Sequence, residues 1–241
     1  MTRRATDDDV AMGLLEHLTE LRRRLIIVAI SVFVAAILGF VLSDAALEIL
    51  VRPLPDEVPI VFTTIGGPFA IKLKIALFLG IAIAIPVILY HLWRFVTPGL
   101  TPGERRLVWP FLGLGILLFV GGVALAYVVI PYGIQFLLNF APESIPPLLT
   151  LEEYIGFVTT MMLAFGLILE FPIVLMTMAR VGVLTHGFLA KRRRWALLLI
   201  VVFAIVATPG GDPLSPIILT SVMYILFEAS LLAVRFIRRR E

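Results

Sequence analysis

Apolar residues run along this chain in long blocks separated by short polar segments, and each block reads as a helix. A hydrocarbon core of ~30 Å is crossed by about 20 apolar residues in helical form. Blocks of this kind cover 25–42, 69–93, 107–130 and 154–178, and two shorter ones cover 195–207 and 217–234. Upstream, Leu14, Leu18, Leu21 and Leu25 recur at helical spacing, which predicts an amphipathic helix over 10–24 along the membrane surface, leading into the first span. Between the blocks lie a polar, proline-rich segment at 43–68, loops at 94–106, 131–150 and 180–194, and a tight turn, Thr208-Pro209-Gly210-Gly211-Asp212-Pro213. Backbone without internal hydrogen bonds is not stable against lipid, so every span must be helical. The expected fold is all-α: one integral membrane domain over 1–241 with six transmembrane helices, the last two short.

Composition supports this pattern. Residues are 60% hydrophobic and 15% charged, and mean hydropathy is +1.05. A soluble domain carries roughly a quarter of charged residues. There is no cysteine, which removes disulfides, thiol nucleophiles and cysteine-ligated metals. The three histidines, His17, His91 and His186, stand far apart, so no metal centre is expected. No Ser-His-Asp set, phosphate loop or pair of catalytic acids is evident, and neither an enzyme nor a cofactor is expected. The polar residues 1–9 do not resemble a cleaved signal sequence.

Charge sets the topology. Seventeen of the twenty Lys and Arg residues fall in the N-terminal segment, the 94–106 loop, the 180–194 loop and the C-terminal tail. Only Arg52, Lys72 and Lys74 lie on the opposite side, among Asp44, Glu48, Asp56, Glu57, Glu143, Glu152, Glu153 and Asp212. The basic side faces the cytoplasm, so both termini are expected there. Nucleic-acid binding, the alternative reading of a basic chain, is disfavoured because each basic cluster caps a span.

Four places carry candidate chemistry. Glu20 precedes Arg24 by four residues; the structural reading is a surface ion pair worth about 0.3–0.5 kcal/mol. In Phe95-Val-Thr-Pro-Gly-Leu-Thr-Pro-Gly-Glu104, the segment Thr101-Pro102-Gly103-Glu104 fits a capping box. Equally, Glu20 and Glu104 are carboxylates on an arginine-rich face, suited to receiving guanidinium groups from a partner. Glu170 lies ten residues before Arg180, about 15 Å along a helix and so near the bilayer centre. A carboxylate there costs several kcal/mol, which points to function; the structural alternative is a neutral acid bonded to a neighbouring helix. Pro172 removes a backbone donor beside it and favours a kink. Glu228, seven residues before Arg235, is placed to reach the cytoplasmic interface. Pro86 is expected to kink the second span, and Gly113, Gly115, Gly121 and Gly122 to permit close helix contact.

Taken in order, these residues resemble the TatC family, the multi-spanning subunit of the twin-arginine protein translocase. The likeness covers nearly the whole chain. It rests on His17-Leu-Thr-Glu-Leu-Arg-Arg-Arg-Leu25, on Phe95 through Glu104-Arg105-Arg106, and on Ala126-Tyr127 with Pro131 and Phe136. It continues in Phe165-Gly166 with Glu170 and Pro172, in Thr208-Pro209 with Asp212, and in Leu226-Phe227-Glu228. Pro216 and Val222 depart from the family's usual pattern in the last helix. The resemblance implies a receptor for twin-arginine signal peptides that helps export folded proteins across the cytoplasmic (inner) membrane, driven by the proton-motive force. It implies Glu20, Glu104 and Phe95 as signal-binding residues and Glu170 as the functional intramembrane acid. Pro86, Pro172, Asp212 and Glu228 remain structural or partner-contact candidates. Expected partners are small single-span subunits of the TatA/TatB type, further copies of the chain within a hetero-complex, and the lipid bilayer. A small-solute transporter using Glu170 for proton coupling is the rival, weakened by the lack of any internal repeat; a scaffold without a receptor role is a third option.

Overall fold

The computed structural model describes residues 7–54, 59–96, 108–140, 142, 148–180, 184, 186–208 and 212–237. The first described element is α1 (Asp7–Val41), in which the segment 10–24 and residues 25–41 form one continuous helix. The reason is local: no Gly or Pro stands between Gly13 and Gly39 to interrupt it. A short α2 (Ser43–Val51) follows within the polar, proline-rich segment. Its Ala-Ala-Leu-Glu-Ile-Leu run favours helix, and the last leucine of the run, Leu50, is buried.

The remaining elements are β1 (Ile60–Val61), α3 (Gly67–Val96), α4 (Val108–Leu138), β2 (Leu149–Thr150), α5 (Leu151–Ile168), α6 (Phe171–Arg180), α7 (His186–Lys191), α8 (Arg193–Ala207) and α9 (Leu214–Ile237). Among the described residues, five segments are long and apolar enough to cross a membrane: Leu18–Val41, Gly67–Phe95, Trp109–Leu138, Leu151–Ala179 and Leu214–Leu232. Helix α8 has 15 residues, about 22 Å of rise against a core of ~30 Å. Helix α9 has 24, about 36 Å, so of the two final helices only α8 is short. Pro216, the third residue of α9, costs that helix little, because first-turn N–H groups lack intrahelical partners anyway.

Helix α5 is the centre of the packing. Ile155, Val158, Met161 and Phe165 are fully buried along it, and it lies against α3 and α4. Small residues bring the helices close. A Cβ on Gly122 of α4 would collide with the Phe165 carbonyl and lie 2.7 Å from Gly166 Cα on α5. Helix α1 packs on α3 in the same way: a Cβ on Gly80 would lie 2.8 Å from Ala36 Cβ, and one on Gly39 2.7 Å from the Ala76 carbonyl. Helices α6 and α8 both pack on α9, which also touches α4.

The loops that follow α2 and α4 meet at one end of the bundle. β1 and β2 pair in parallel, Ile60 with Leu149 and Val61 with Thr150, so the all-α expectation misses one small bridge. Tyr154 donates to the Leu50 carbonyl (2.7 Å) and Tyr127 to the Ile49 carbonyl (2.9 Å). Lys72 pairs with Asp44 at 2.7 Å, and Lys74 lies 3.8 Å from Glu152. Thr150 caps α5 by accepting from the Glu153 N–H.

Candidate functional site

At the opposite end, the middle of α1 meets the end of α3. Glu20 is ion-paired with Arg24 one turn along α1. The Arg24 side chain is only 11% exposed, and its Nη1 also donates to the His91 carbonyl of α3 at 3.5 Å. Arg94 donates to the Tyr90 hydroxyl at 3.0 Å, and the Tyr90 and His91 rings meet edge to face. Phe95 is the penultimate residue of α3 and half-buried. Glu20 and Phe95 thus sit at the same end of the bundle, on helices joined by Arg24. Glu104 lies outside the described residues.

Glu170 occupies an interruption between α5 and α6. The Glu170 N–H donates to the Leu167 carbonyl (3.2 Å), a tight turn, and the Glu170 carbonyl accepts from Ile173 and Val174 to restart the helix. Pro172, second residue of α6, has no N–H to carry the ladder through this point. The side chain is buried at 8% exposure, and neither carboxyl oxygen has a hydrogen-bond partner among the described residues. It rests over Gly115 of α4, where a Cβ would lie 3.1 Å from Glu170 Oε2, 2.7 Å from Leu89 and 3.3 Å from Ile173. An acid in this apolar setting is a strong acceptor or donor for a polar group delivered from outside the fold.

The other singled-out residues take up local contacts. Pro86 lies inside α3, which continues through it. Asp212 is buried ahead of α9 and accepts from the Ser215 N–H at 2.7 Å, satisfying one of the helix's first donors. Gly133 of α4 makes room for it: a Cβ there would lie 3.2 Å from Ser215 Oγ and 3.3 Å from the Asp212 carboxyl carbon. Glu228 accepts from Arg193 of α8 at 3.0 Å and from the Tyr224 hydroxyl at 3.3 Å, and so ties α8 to α9. No cluster of three or more His, Cys, Asp or Glu suited to a metal occurs among the described residues.

Sequence reasoning missed Arg24 as the link between α1 and α3, and Gly115 as the seat of Glu170. Both depend on the register of neighbouring helices. Tyr154 carried a weak signal, an aromatic with a polar tip at the start of a span.

These features define a multi-pass helical membrane protein with an acid buried within an apolar, span-length segment and a basic end. The family model described as Sec-independent protein translocase protein (TatC) matches residues 16–221. The chain is 36% identical over 236 residues to the TatC of Carboxydothermus hydrogenoformans, covering 97% of each chain. It is 37% identical over 227 residues to that of Xylanimonas cellulosilytica, covering 91% of this chain and 82% of the relative. A crystal structure of a "Twin Arginine Translocase Receptor- TatC" in DDM superposes with a TM-score of 0.79 at 34% identity, over 90% of this chain and 98% of that one. The chain belongs to the TatC family and is a component of a Tat protein translocase.

Proposed function

We propose that this chain is the receptor core of the translocase and binds the consecutive arginines of a signal peptide at the cytoplasmic surface, with Glu20 and Glu104 as acceptors and Phe95 beside them. The observation that carries this reading is the Arg24 bridge. Through it, the Glu20 carboxylate is tied to the end of α3, on which Phe95 lies and after which the chain runs on to Glu104. Two carboxylates among many cations suit two guanidinium groups, each able to bind in a two-pronged geometry that lysine lacks.

In this reading the chain crosses the inner membrane six times, α8 being the fifth crossing and α9 the sixth, with both termini in the cytoplasm. The basic-residue asymmetry supports that orientation. Helix α8 is about 8 Å shorter than the hydrocarbon core and draws the bilayer thin beside it. Glu170 serves a later step, in which small single-span subunits join the complex and the proton-motive force drives transport of the folded cargo. Further copies of the chain complete the assembly.

The test is photo-crosslinking in native membranes. A probe placed beside the arginines of a signal peptide should be captured by α1 near Glu20 and by the 94–106 loop, and a Lys-Lys version should not. Capture confined to α9 would overturn the assignment. Glu170→Ala should leave this capture intact and lower export.

A further inference from the structure

The Glu20 carboxylate already holds a guanidinium from its own chain. Arg22 and Arg23 are exposed, whereas Arg24 turns inward, paired with Glu20 on α1 and reaching the His91 carbonyl on α3. Its anchorage is partial. The contact to His91 is at the long limit of a hydrogen bond, 3.5 Å, and the Arg24 Nε is buried without an acceptor. Glu20 itself is 37% exposed and reachable from solvent. We propose that Arg24 is a built-in competitor for the Glu20 carboxylate, and that an incoming arginine must displace it to bind. This rests on the reading of Glu20 as an arginine acceptor.

The consequence is a threshold. A partly exposed ion pair shifts an equilibrium by roughly 2- to 5-fold, so the internal pair lowers the affinity of every cationic segment by about that factor. Every cationic segment bears the same penalty, so the rival raises the affinity a segment needs to occupy the site and leaves the ratios between segments unchanged.

The experiment uses the full chain purified in detergent, with equilibrium binding of a labelled Arg-Arg signal peptide to wild type, Arg24→Gln, Glu20→Gln and the double variant. Glutamine removes the competing charge and keeps an N–H donor at the place of the Arg24 Nε. Arg24→Gln should bind about 2- to 5-fold more tightly than wild type, and the gain should vanish in the Glu20→Gln background. Unchanged or weaker binding by a folded Arg24→Gln overturns the proposal, as does a gain that persists without Glu20, which would mark a general charge effect. If Arg24→Gln does not fold, Arg24→Lys carries the test: its ammonium competes less well than a guanidinium fork, so binding should tighten, and an unchanged affinity overturns the proposal. Should Glu20→Gln alone leave binding unaltered, the receptor reading itself fails. Should it weaken binding while the Arg24 variants gain nothing, only the competitor fails.

Discussion

The Glu170 carboxyl group lies directly over Gly115, and a single added Cβ at Gly115 would come within 3.1 Å of Glu170 Oε2. The buried acid therefore fits only because the facing helix carries no side chain there. Gly115→Val should overpack this junction and cost about 1–3 kcal/mol, read as a lowered melting temperature in detergent. Adding Glu170→Ala should recover part of the loss, because the two sites touch and their effects are not additive. Strict additivity would mean that the strain is relieved elsewhere, by Leu89 or Ile173.

Neighbouring glycines on α4 give a matched pair. A Cβ on Gly122 meets the α5 backbone at Phe165 and Gly166, whereas one on Gly121 meets nothing within 4 Å. Backbone cannot swing aside as a side-chain tip can. Gly122→Ala should thus cost about 1–3 kcal/mol, and Gly121→Ala should stay within about 0.5 kcal/mol of wild type. Thermal unfolding of the two variants in the same detergent checks this, and equal stabilities would contradict the close α4–α5 approach.

How much of this was legible in the sequence depends on the range of the interactions. Long apolar blocks mark helices by themselves, so α3 and α4 could be read from hydropathy alone. Pro172 likewise signals a local break, since its missing N–H acts within one turn. The β1–β2 bridge was not legible, because it joins two-residue strands from loops far apart in the chain. Nor was the bond from Tyr154 to the Leu50 carbonyl, set by how α5 sits against α2. In Glu228 both partners were visible as types, but the pairing with Arg193 requires the α8–α9 hairpin to close in one register. Glu20 and Arg24 were legible as a pair from their spacing; the reach of Arg24 to α3 was not.

Topology has its own test. Cysteines at Thr6 and Arg239 should be protected from a membrane-impermeant thiol reagent added to intact cells, and one at Pro146 should react. The chain has no native cysteine, so each signal is unambiguous. Labelling of the first two from outside would invert the orientation and place Glu20 on the wrong face for a cytoplasmic signal.

The most direct test of the receptor role is equilibrium binding of matched Arg-Arg and Lys-Lys signal peptides to the purified chain, with and without the pair of substitutions Glu20→Ala and Glu104→Ala. Each charge-assisted contact is worth about 1–3 kcal/mol, or roughly 5- to 150-fold in affinity. The wild-type chain should prefer Arg-Arg, and the double variant should lose at least about 5-fold in Arg-Arg affinity together with most of that preference, while remaining folded. Unchanged affinity and an unchanged preference for arginine in the folded double variant would contradict the receptor assignment and reduce the two glutamates to an ion pair and a helix cap.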